Sequence, residues 1–115
     1  MNERRKGKRV PFNSKISVSS LYRSGEQQLI ELKDIEILVT NISSTGVGFQ
    51  SKINLPVDYF FNCRLDIPTS ASIYCVVKIV RSEKLSDSKI YDIGCEIVGL
   101  SSICSDIINS YVNNC

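Results

Sequence analysis

Residues 29–51 read LIELKDIEILVTNISSTGVGFQS. The first part, 29–40, alternates apolar with other side chains, the period of a half-buried strand, and its phase changes at Lys33-Asp34. A shift of one residue turns every later side chain to the opposite face, so the change predicts a β-bulge or bend. NISSTG, 41–46, is built of turn formers, with Gly46 able to take a positive φ, and GVGFQS, 46–51, leaves it as a short strand.

The same pattern extends in both directions. ISVSSLY at 16–22 alternates loosely, and SGE at 24–26 supplies the turn that follows. YFFNCRLDI at 59–67, SIYCVVKIVRSE at 72–83 and KIYDIGCEIV at 89–98 are further β-type runs, each ended by connections rich in Pro, Ser or Asp. About six strands with short links favour an all-β fold, an antiparallel barrel or sandwich, because closure protects sheet edges. The period changes only at the end. In SSICSDIINSYVNN, Ile103, Ile107, Ile108 and Tyr111 fall on one helical face, and Ser101 or Ser102 can cap its start. That stripe is expected to pack on the strands.

The length of 115 residues allows one core and no second domain, and the composition, 43% apolar and 23% charged, is that of a globular chain. The net charge of +2 hides an asymmetry. RRKGKR at 4–9 holds Arg4, Arg5, Lys6, Lys8 and Arg9 with only Glu3 nearby, whereas the remaining chain has nine basic and eleven acidic residues. A cationic arm on a mildly acidic body points to a localised anionic partner. No stretch approaches a membrane span and no apolar core follows the basic start, so a cytoplasmic location without membrane insertion is expected.

Five cysteines, Cys63, Cys75, Cys95, Cys104 and Cys115, form neither a C-x-x-C pair nor an even framework, and the chain has no histidine. The first four are expected as small buried apolar residues, and no metal site is expected. Catalysis lacks its usual carriers: there is no histidine, no phosphate loop and no evident carboxylate pair. The chain is therefore read as a non-enzyme. Asn41-Ile42-Ser43 matches a glycosylation acceptor, which the absence of a secretory signal disfavours.

The basic arm and the turn offer complementary chemistry. Arginine presents a planar fork that pairs with guanine O6 and N7, and its face stacks on a base. Arg5 and Arg9 can reach two purines, or a purine and a phosphate. Asn41 carries donor and acceptor for a base edge, Ser43 adds a hydroxyl, and Gly46 lets a backbone N–H approach a ligand. The pair suits a small anionic nucleotide bearing guanine.

These residues resemble the PilZ domain family. Arg5 and Arg9 match its RxxxR motif, and Asn41, Ser43 and Gly46 match its [D/N]xSxxG motif. RVPF after the arm, GVGF after the turn and YDIGCEIVGLS at 91–101 continue the resemblance in order. It implies a six-stranded antiparallel β-barrel with a C-terminal α-helix, divided into a flexible basic arm at 1–12, a barrel at 13–100 and a helix at 101–115. It also implies a receptor for cyclic di-GMP. Arg5 and Arg9 would contact guanine and phosphate, Asn41 and Ser43 a guanine edge, and Gly46 would keep the turn open. Arg4, just before the motif, leans towards a stacked pair of messengers. Asn41 in place of the commoner Asp, and Ile97 in place of a frequent aromatic, are departures. No cofactor is implied. With no attached effector domain, the output would pass through an effector protein partner, with motility, exopolysaccharide and pilus assembly all compatible. The alternatives are a protein-interaction domain of the same fold that binds no nucleotide and a small RNA-binding barrel. The second is disfavoured by the acidic body, and neither DNA nor RNA is expected as a partner.

Overall fold

In a computed structural model of the chain, residues 9–23, 28–68 and 72–114 are described. Six strands, β1 (Val10–Arg23), β2 (Gln28–Ile42), β3 (Gly46–Ser51), β4 (Phe60–Asp66), β5 (Ser72–Lys84) and β6 (Tyr91–Gly99), precede one helix, α1 (Ser102–Asn113). The strands close into an antiparallel barrel in the order β1-β2-β3-β6-β5-β4. The all-β barrel with a C-terminal helix is the fold expected from the strand count and the resemblance. The turn read at 24–26 lies outside the described residues.

Alternation produces the barrel. Along β4, Phe61, Cys63 and Leu65 point inward between exposed Asn62 and Arg64, and along β5 Ile73, Cys75, Val77 and Ile79 do the same. Val47 and Phe49 of β3 and Ile93 and Cys95 of β6 complete that wall. The Phe49 and Phe61 rings meet across the interior, 5.6 Å apart and tilted by 55°.

The phase change at Lys33-Asp34 is a bulge in the backbone. Val18 pairs with Ile35 and Ser20 with Glu31, so β2 runs from 35 to 31 while β1 advances only from 18 to 20. Strand β1 is longer than the run 16–22 and begins at Val10, because Val10 and Phe12 are both buried. Pro11 lies at a second irregularity, between Pro11↔Asn41 and Ser14↔Val39, where a missing N–H is tolerated.

Helix α1 packs on the barrel through a face somewhat different from the expected stripe. Ile108 and Val112 are buried, and Tyr111 meets Phe12 edge-on at 5.6 Å. Ile103, expected on that face, is 73% exposed, because the first turn projects beyond the barrel's apolar surface. Ser101 is the N-cap: its hydroxyl accepts from Cys104 N–H at 3.2 Å.

Candidate ligand-binding face

Where β1 begins and β2 ends, Val10 pairs with Ile42 and Pro11 with Asn41. This register brings Arg9 beside Asn41 although 32 residues separate them. Arg9 Nη1 donates to Asn41 Oδ1 at 2.6 Å, and Asn41 Nδ2 donates to Thr40 Oγ1 at 3.1 Å. The two bonds orient the amide, with its acceptor towards Arg9. Arg9 and the turn, separate in sequence, are therefore one neighbourhood on the outside of the barrel.

The turn is held by Ser43. Its hydroxyl accepts from Gly46 N–H at 3.1 Å and Thr45 N–H at 3.3 Å, and Ser43 N–H donates to the Gly46 carbonyl at 2.9 Å. Ser43 is 2% exposed, so its hydroxyl serves the turn's own backbone. Gly46 does not take the positive φ expected of it. It is needed for space: a Cβ there would lie 2.8 Å from the Cys95 carbonyl oxygen of β6 and 3.9 Å from Arg9 Nη2.

Two further glycines shape this face. Val47 and Phe49 point inward, so Gly48 between them faces out, as does Gly94 between Ile93 and Cys95. Asn41 pairs with Gly48, Gly48 with Gly94, and Gly94 with Arg81 of β5. A Cβ on Gly48 would come within 2.9 Å of Asn41 Cγ, and one on Gly94 within 3.0 Å of Arg81 Nη2. The missing side chains let Asn41 and Arg81 lie down over the sheet from opposite sides. Arg81 Nη1 is steadied by Asp92 Oδ2 at 3.1 Å and Glu83 Oε1 at 3.4 Å.

The result is a two-glycine row across β3 and β6 that is itself buried, covered by an amide from one margin and a guanidinium from the other. At about 4.8 Å per strand the row from β2 to β5 spans roughly 14 Å. Absent Cβ atoms at both positions leave only the flexible Asn41 and Arg81 side chains over the backbone, and both carry hydrogen-bonding groups.

The PilZ domain profile matches residues 3–114, which is nearly the whole chain. The chain belongs to the PilZ domain family. The barrel and helix of this PilZ domain are similar to the PilZ domain of YcgR from Escherichia coli, solved with c-di-GMP, at 9% identity and a TM-score of 0.61. The match covers 97% of this chain and 91% of that one, and at that identity it is a likeness of fold. No curated protein sequence matches the chain.

Of the residues singled out in the sequence, Arg9, Asn41, Ser43 and Gly46 come together in this PilZ domain, while Arg4 and Arg5 lie outside the described residues. Gly48, Gly94 and Arg81 were not singled out. Their signal was present in GVG at 46–48 and IGC at 93–95, since glycine inside a strand marks a close approach of another group. Among the described residues no cluster of three or more histidine, cysteine or acidic side chains could hold a metal ion, and no helix is long and apolar enough to cross a membrane.

Proposed function

We propose that this PilZ domain is a receptor for cyclic di-GMP that passes the signal to a partner protein and carries out no catalysis itself. The observation that carries the reading is the 2.6 Å bond between Arg9 and Asn41, which ties the second arginine of the RxxxR motif to the [D/N]xSxxG turn beside a row of glycines that only Asn41 and Arg81 cover. One guanine would lie over Gly48 and Gly94, its edge read by Asn41, with the Arg81 guanidinium at the far margin. Ser43 and Gly46 would act by fixing the turn. Arg5 and Arg9 would close over the guanine and phosphate from the arm, and Arg4 would favour a stacked pair of messengers.

Ordering the arm is the switching step in this reading. Fixing a residue's backbone costs about 1–2 kcal/mol, so several strong contacts are required to offset six or so residues. A bidentate arginine contact contributes roughly 1–3 kcal/mol. In the absence of messenger, Arg9 is held by Asn41; the messenger's guanine and phosphate replace that partner. The ordered arm would then present a new surface to an effector protein of a motility, exopolysaccharide or pilus system.

Calorimetric titration with cyclic di-GMP, alongside cyclic di-AMP, tests this. The expected result is selective binding that weakens about tenfold to a hundredfold in Arg9→Ala or Arg5→Ala, at about 1.4 kcal/mol per decade, and is lost in the double variant. Silence in the wild type, or affinity unchanged in both variants, sinks the receptor reading. It would favour a PilZ domain that docks proteins without nucleotide.

A further inference from the structure

Between β1 and β4 the barrel wall is not continuous. Strand β1 pairs with β2 along Lys15, Ile16 and Ser17, but towards β4 its pairing among the described residues is confined to Tyr22↔Phe60. The Tyr22 and Phe60 rings stack there at 5.9 Å and act as a clasp. Below that clasp β1 and β4 separate, and a cavity of about 830 Å³ opens between Lys15 to Ser17 on one side and Asn62 to Arg64 on the other. Cys63 and Cys75 line it.

These two cysteines are direct cross-strand partners between β4 and β5. Opposed residues of an antiparallel pair have Cα atoms about 4.5 or 5.5 Å apart, and a disulfide requires about 4.4–6.8 Å, so either kind of pair satisfies it. Both side chains point into the barrel, 3% and 5% exposed.

We propose that Cys63 and Cys75 form a cross-strand dithiol that a small hydroperoxide, entering through the gap between β1 and β4, oxidises to a disulfide. Cys75 is the attacking sulfur. The neighbouring Cys63 holds the Cys75 pKa below the usual thiol value, while the Cys75 partner and burial push that of Cys63 up. The Cys75 thiolate takes the distal oxygen of the peroxide, giving a sulfenic acid and hydroxide. The Cys63 sulfur then attacks the Cys75 sulfur, forming the S–S bond and releasing water as the Cys63 proton joins the departing hydroxyl. Cys95, on the adjacent strand β6, has its thiol pKa pushed up to about 12 by burial and stays reduced.

Trypsin separates the partners, since Arg64 follows Cys63 and Lys78 follows Cys75, whereas Cys95, Cys104 and Cys115 share the stretch 90–115. The full chain is treated with hydrogen peroxide, unfolded, alkylated, digested and weighed. The expected species is a monomer lacking two hydrogens, with peptide 53–64 joined to peptide 65–78, Cys95 alkylated and the melting temperature raised by several degrees. Cys63→Ser should stop at a sulfenic acid on Cys75 that dimedone traps. Recovery of both Cys63 and Cys75 fully alkylated after treatment overturns the proposal, as does oxidation confined to Cys104 and Cys115. The chemistry needs no nucleotide and is independent of the receptor reading.

Discussion

At Gly46 and Gly48, two residues apart on one strand, the same mutation should have two different effects. A Cβ on Gly46 would press on the Cys95 carbonyl, which is backbone and cannot yield, so Gly46→Ala should cost about 1–3 kcal/mol of stability. A Cβ on Gly48 meets the Asn41 side chain, which can swing away. Gly48→Ala should therefore leave the melting temperature nearly unchanged and weaken cyclic di-GMP binding, since it lifts Asn41 from the glycine row. Thermal melts and titration of the two variants separate these outcomes; equal loss of stability in both would remove Gly48 from the ligand face. Asn41 and Gly46 were legible because both belong to a short motif with local spacing. Arg81 was not, because its role depends on pairing with Gly94 across a hairpin, and no spacing in the sequence encodes what lies beside a strand.

Among the elements, the strands follow closely from alternation, and the β2 bulge was legible because a change of phase has one geometric remedy. The start of β1 was hidden by Pro11, a residue that argues against a strand except at an edge or irregularity, and an irregularity is what the structure has there. The helix was legible as a helix, but its buried face was not, since periodicity defines a stripe and cannot say where the barrel surface ends. Ile108→Ala should cost about 2–5 kcal/mol. Loss of the Ser101 cap in Ser101→Ala should cost about 1 kcal/mol. Ile103→Ser, on the exposed first turn, should change stability by less than about 0.5 kcal/mol. Denaturant unfolding of the three variants ranks them, and a large loss at Ile103 would contradict the described packing.

Over the whole molecule, the barrel separates two chemistries. Its outer face at β2, β3, β6 and β5 carries Asn41, the glycine row and Arg81, and meets Arg9. Its interior, reached between β1 and β4, carries the dithiol. The charge asymmetry of the sequence runs the same way, since Arg9, the last residue of the basic run, lies at the outer face. The glycines make the division measurable, because Gly46, Gly48 and Gly94 line the outer face while Gly99 lies against Val76 at the cavity. The most direct measurement is an amide NMR titration of the full chain with cyclic di-GMP. The account predicts large shifts at Gly46, Gly48, Gly94 and Arg81, with Gly99 still. Shifts centred on Gly99 and the cavity, or none at the glycine row under saturating messenger, would contradict it.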